Sequence, residues 1–261
     1  MQAVEGLLLS SRMSERPYVI LNVAMSADGK TDTFARRGAA ISSPLDRLRV
    51  DRLRASCDAI MVGGRTITGD DPQLTVKSAD LRAERLGRGL GENPVKVGVI
   101  TRADLSAASR FLTAGPAQVI IFTTTQTAPA EIQRLFELGV QVIVMGERRV
   151  DLKGALQCLK DRGICRLLIE GGGTLNEELL KQNLVDEISV YIAPLIFGGA
   201  DAPTFAAGAG LTRQSAIPLE QTRLEELADG GIVVYYAVRT DISESSDSGR
   251  DFKYDTHKTT N

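Results

Sequence analysis

Residues 166–180 read RLLIEGGGTLNEELL. An apolar run ends in a glutamate, passes through three glycines and enters a helix-forming stretch. A strand that turns through glycines into a helix aims free backbone N–H groups, and the positive end of the helix dipole, at one point beyond the strand. The stretch therefore reads as a strand–turn–helix unit of an α/β sheet. Two readings of Gly171, Gly172 and Gly173 stay open: a seat for a phosphate, or a tight turn and nothing more. Neither common phosphate fingerprint is spelled. G-x-G-x-x-G would need glycine where Asn176 stands, and no Gly-Lys-Ser/Thr follows as in a P-loop.

Outward from this unit, β-branched runs alternate with helical patterns. The expected strands cover 18–24, 58–63, 95–100, 118–123, 140–145, 166–170, 187–194 and 232–238. Between them, SSPLDRLRVDRLRA (42–55) offers Ser43 as N-cap, Pro44 at the first helical position and Leu45, Leu48 and Leu53 on one side. APAEIQRLFELG (128–139) and DLKGALQCLKDRG (151–163) each close on a C-capping glycine. Such alternation predicts a three-layer α/β/α fold with a mostly parallel sheet. The last two strands lack a long helix between them and are expected to form an antiparallel C-terminal edge. The body runs from 17 to 239, after a loose segment at 1–16 and before a polar, aliphatic-poor tail at 240–261 that reads as disordered.

In parallel sheets ligands sit beyond the carboxyl ends of the strands. Four segments start there: 22–30, 63–72, 101–102 and 170–174. The first gathers Asn22, Ser26, Asp28 and Lys30, which is either a solvated D-G turn or one wall of a site. The second offers Thr66 as a cap or phosphate contact, and Asp70-Asp71-Pro72 as a cap and turn or as carboxylates for a metal. Arg47 and Arg54 lie seven apart on one helical face. Glu170 ends an apolar strand, where a buried carboxylate needs partners. Ligand hydroxyls, a helix N-terminus or an arginine would each serve.

Composition narrows the chemistry. Apolar residues make up 43% and charged residues 25%, with a net charge of −2, so no general attraction to nucleic acid or membrane follows. No apolar run approaches the ~20 residues of a transmembrane helix. Three cysteines, Cys57, Cys158 and Cys165, form no C-x-x-C pair, which fits a reducing cytoplasm. The only histidine is His257. A Ser-His-Asp hydrolase and a zinc deaminase both need more than that, and no metal site is expected.

Taken in order, NVAMSADGKT, ISSP…LR, GGRTITGDDPQLTV, IEGGGTLN and VDEISVYIAPLIFGG resemble the riboflavin-pathway reductases. These reduce a 2,5-diamino-6-(ribosylamino)pyrimidinone 5′-phosphate, alone or as half of a deaminase-reductase. The resemblance covers about 17–239 and carries no deaminase signature. It implies a dihydrofolate-reductase-like fold, NADPH as cofactor, a phosphorylated pyrimidine as substrate and a homodimer. It also implies that hydride reaches the sugar C1′ of an opened ribosylamino group, leaving a ribitylamino group, and that the glycines lie against the cofactor's pyrophosphate. Matched residue by residue, Thr66, Asp70, Thr101 and Gly171–Thr174 fall on cofactor positions. Arg102 is expected to meet a 2′-phosphate. Asn22, Arg54, Leu74, Lys77 and Glu170 fall on the substrate side, and Glu170, Lys30 and Asp28 form the expected catalytic set. Ala39-Ala40-Ile41 stands where some relatives carry an aromatic residue. A related enzyme on another pterin or pyrimidine and a non-catalytic nucleotide-binding regulator are the competing expectations.

Overall fold

The structure is a computed structural model that describes residues 15–239; the expected tail and most of the expected loose N-terminal segment lie outside these residues. In chain order the elements are β1 (Tyr18–Ser26), α1 (Pro44–Ser56), β2 (Ala59–Gly63), α2 (Gly64–Asp70), α3 (Ala79–Gly87), β3 (Val95–Val99), α4 (Arg110–Thr113), β4 (Val119–Thr123), α5 (Pro129–Glu137), β5 (Gln141–Val144), α6 (Leu152–Asp161), β6 (Arg166–Ile169), α7 (Gly173–Lys181), β7 (Glu187–Ala193), β8 (Leu219–Glu226) and β9 (Ile232–Val238).

The strands form one sheet in the order β5-β4-β3-β2-β6-β1-β7-β9-β8. Pairing is parallel from β5 to β7, and β9 and β8 then add antiparallel pairs. Successive strand residues point to opposite faces, so the buried runs feed two cores. Val19, Leu21, Met61, Val97, Phe122 and Leu167 face α6 and α7. Ile20, Ile60, Val62, Ile121 and Leu168 face Ile67 of α2, Phe111 of α4 and Leu135 of α5. Helices on both faces bury every parallel strand but the edge, as such sheets require.

Three features depart from the sequence reading. The expected antiparallel pair forms as β7–β9, but a further strand, β8, lies outside it and went unread. Its residues, LEQTRLEE, are exposed almost throughout, so no apolar alternation marks it as a strand. Helix α1 forms where expected, with Ser43 accepting from Asp46 N, but its inward face is Asp46, Asp51 and Ala55. Leu45 and Leu48 are 39% and 54% exposed. Short α2 follows β2 directly, because a Cβ at Gly64 would stand 2.7 Å from Ile100 Cγ1 and only glycine lets the turn pack there.

Candidate active site

Of the four segments at the carboxyl ends, 63–72 and 170–174 are bonded to each other, and 22–30 reaches the glycine turn through Thr204. Gly63 N donates to Gly171 O at 2.9 Å, and Gly172 N donates to Thr66 Oγ1 at 3.1 Å, so the turn after β2 and the glycine turn after β6 are stitched together. A β-bridge joins Lys30 to Thr204. The Thr204 carbonyl in turn lies where a Cβ on Gly173 would fall, at 2.7 Å. Each glycine thus has its own physical reason. Gly171 adopts φ 98°, in the left-handed region, and a Cβ there would meet open space. Gly172 faces the Thr66 hydroxyl. Gly173 is pressed by the protein's own 204–207 segment, with Ala207 N donating to Gly173 O. Only at Gly171 does the space beside the glycine stay open.

Helix α7 begins at this turn with no side-chain cap. The N–H groups of Gly173 and Thr174 have no acceptor among the described residues. An uncapped helix N-terminus with free donors suits an anion. Thr66 and exposed Thr174 stand beside it. Asp70 is solvent-accessible, yet partial loss of solvent, and then the Asp32 carboxylate, push its carboxyl above the usual range. Asp32 is the hub of the neighbouring loop, which sequence reasoning missed. Burial pushes its carboxyl up, but N–H groups of Ala39, Gly38 and Thr33 hold it below the usual range. Asp71 caps α4, accepting from Ser109 Oγ at 2.5 Å and from the N–H of Arg110 and Phe111. Thr101 and Arg102 are exposed at the end of β3. Arg102 has no ion-pair partner among the described residues.

Just before the glycines, Glu170 is bidentate on Arg54, with Nε to Oε1 and Nη2 to Oε2 both at 2.7 Å. The side chains are 19% and 11% exposed for Arg54 and Glu170. Burial alone would lower the Arg54 guanidinium; the Glu170 carboxylate overrides it and holds Arg54 above its usual range. Arg54 also donates to Thr75 O. Lys77 lies alongside, its Nζ donating to Gln73 Oε1 and to Thr75 Oγ1. Burial, and then the nearby Arg54 charge, hold the Lys77 ammonium below its usual range. Arg54 pairs with Glu170 while Lys77 has no ion-pair partner among the described residues, so the two neighbouring cations leave room for an anionic ligand.

Leu74, expected on the substrate side, is a core residue of unusual backbone geometry. Its side chain is 1% exposed within the second core and its φ is 49°, so only its backbone can meet a ligand. Asn22 is buried, and its Oδ1 accepts from Arg49 Nη2 at 2.8 Å. Arg49 also grips Ser189 and Asp46, making a polar clamp between α1, β1 and β7. The i,i+3 spacing of Asp46 and Arg49 was its one visible trace. Asp28 accepts from Ser26 Oγ at 2.6 Å and from the N–H of Phe197 and Gly198. These bonds, Ser26 first, hold its carboxyl below the usual range and tie the turn after β1 to the loop after β7. Lys30 is half-buried, and its ammonium has no partner among the described residues.

The chain is similar to known proteins of one family. Residues 17–233 match the RibD C-terminal domain. The chain is 42% identical over 215 residues to a 2,5-diamino-6-ribosylamino-4(3H)-pyrimidinone 5′-phosphate reductase of Archaeoglobus fulgidus, covering 82% of this chain and 95% of that one. It is 43% identical over 221 residues to the protein of the same name from Methanothermobacter thermautotrophicus, covering 84% and 98%. Among solved structures, Acinetobacter baumannii RibD superposes with a TM-score of 0.73 at 27% identity, over 88% of this chain. The chain spans 60% of that longer protein.

Proposed function

The chain belongs to the RibD C-terminal domain family, and on that premise we propose that it is a reductase of riboflavin biosynthesis. Its substrate in this reading is a 2,5-diamino-6-(ribosylamino)pyrimidinone 5′-phosphate, and NADPH is its cofactor. One observation carries it: an uncapped helix N-terminus with free N–H groups follows directly on the glycine turn that Glu170, paired with Arg54, opens. The first feature suits a pyrophosphate and the second a phosphorylated, hydroxyl-rich ligand.

Bound NADPH would supply the hydride. The protein's part is to hold, orient and exclude water. Gly173, Thr174 and Thr66 would seat the pyrophosphate, with Asp70 and Thr101 bordering the same cofactor. Arg54 and Lys77 would take the substrate phosphate, and the Leu74 backbone would border the pyrimidine. An ionised carboxylate offers about four lone-pair sites. Arg54 takes two at Glu170, leaving others to accept from the hydroxyls of the opened sugar. Lys30, whose ammonium has no partner among the described residues, is available to give a proton to the amine nitrogen. Asp28 and the Asn22–Arg49 clamp would hold the walls in place. Imine reduction on a hydride donor demands no protein histidine, in keeping with a body that lacks one.

The homodimer belongs to the same reading. The outward Leu45 and Leu48 are apolar surface that a second copy would cover, and sedimentation equilibrium reads the mass directly. The test of function is an anaerobic panel with NADPH: the ribosylaminopyrimidinone phosphate, its deaminated counterpart and dihydrofolate. A ribitylamino product from the first is expected. Turnover of dihydrofolate alone, or cofactor binding without turnover of any, would overturn the proposal.

A further inference from the structure

Strands β3 and β4 run side by side until Ile100 N donates to Phe122 O at 3.0 Å. Beyond that bond the backbone ladder stops and threonine hydroxyls replace it. Thr123, Thr124 and Thr127 are buried, at 0%, 0% and 5% exposure. Thr124 Oγ1 donates to Thr101 O at 2.8 Å, and Thr123 Oγ1 donates to the same carbonyl at 3.3 Å. The Thr123 and Thr127 hydroxyls lie 2.5 Å apart, and Ala103 N donates to Thr127 Oγ1 at 3.0 Å.

Directions follow from counting protons. A hydroxyl has one to give. Thr123 gives its own to Thr101 O, so Thr127 gives its proton to Thr123 and accepts from Ala103 N–H. The circuit closes with every buried donor used, as buried polar groups require. Both lone pairs of the Thr101 carbonyl are engaged. That carbonyl belongs to the peptide before Arg102, and the Ala103 N–H belongs to the peptide after it. Both peptide planes flanking Arg102 are therefore fixed from below, and with them the backbone angles that aim its side chain. Arg102 itself is exposed and has no ion-pair partner among the described residues. A rigid mount beneath an unpaired cation has a purpose beyond ending a strand.

We infer that Thr123, Thr124 and Thr127 are positioning residues that aim Arg102 at the 2′-phosphate of the cofactor. They thereby set the preference for the phosphorylated dinucleotide. This rests on the cofactor reading given above, and it extends that reading to residues that touch no ligand.

The experiment titrates the full chain with NADP⁺ and NAD⁺ by calorimetry, in the native protein and in Arg102→Ala, Thr127→Val and Thr127→Ser. Valine keeps the shape of threonine and removes the hydroxyl; serine keeps the hydroxyl. Thr127→Val is expected to weaken NADP⁺ binding about tenfold, as when a charge-assisted hydrogen bond is misaligned, and to leave NAD⁺ binding unchanged. Thr127→Ser should bind as the native protein does. In Arg102→Ala, adding Thr127→Val should cost nothing further. If Thr127→Val does not fold, Thr124→Val carries the same comparison with the same expected direction. Equal weakening of both dinucleotides, or a lower melting temperature with the NADP⁺ preference intact, would overturn the positioning role. The two levels separate cleanly: a native protein without preference, or an Arg102→Ala variant that keeps it, would defeat the Arg102 assignment itself.

Discussion

Glu170 and Arg54 are the residues where stability and substrate handling meet. The pair is bidentate and largely shielded from water, so removing the charge of one partner leaves the other poorly satisfied. Glu170→Gln keeps one acceptor oxygen and loses the charge. It should lower kcat/KM by on the order of 10- to 100-fold, because a hydrogen bond to a charged group contributes roughly 1.5–3 kcal/mol. The melting temperature should fall by a few degrees as Arg54 loses its charged partner. NADP⁺ affinity should stay near native, since the free N–H groups at Gly173 and Thr174 do not depend on this side chain. Native turnover in the variant would remove Glu170 from the substrate side. A collapse of dinucleotide binding would show that the pair serves the glycine turn instead. The sequence already demanded a partner for Glu170, because a carboxylate at the end of an apolar strand cannot stay bare. It left the partner open, since Arg54 lies 116 positions away in the chain.

At the scale of elements, β3 carries a buried charge that no motif reveals. Lys96 is 0% exposed, and its Nζ donates to Phe111 O and Ala114 O at the end of α4. Burial, and then the Lys77 charge, push its pKa down to about 8. An unfolded lysine titrates near ~10.4. Between those values the unfolded chain binds more protons than the folded one, so stability contributed by this site rises with pH across that window. A neutral amine still donates to both carbonyls, so deprotonation loses no bond. Lys96→Met lacks this titration. The melting-temperature difference, native minus variant, should therefore grow in favour of the native protein as pH rises above about 8. A difference that stays constant with pH would contradict the assignment. Element reading from sequence worked where the apolar run is plain, as in β2 and β4, and where a glycine at positive φ closes the helix, as after α5 and α6. It failed at β8, whose polar residues are strand only because β9 pairs with them. For α1 the caps located the helix correctly. The leucine stripe misread its orientation, because Asp46 and Asp51 are drawn inward by Arg49 and by the N–H groups of Lys77 and Ser78.

For the whole molecule, topology brings four separate turns to one edge of the sheet, and this much the alternation of strands and helices made legible. What it could not show is how the protein fills its own crevice. The 204–207 segment occupies the space beside Gly173, and the loop after β7 hangs on Asp28. Both contacts depend on long-range packing that leaves no local signature. The proposed reaction requires cofactor and sugar to lie together at this end of the sheet, close enough for direct hydride transfer. The most direct measurement is a single-turnover reaction with NADPH deuterated at the transferring face of the nicotinamide C4, followed by analysis of the product. One deuterium is expected at C1′ of the ribityl chain, retained when the reaction runs in ordinary water. A ribityl product with no deuterium from either face of the cofactor would contradict it.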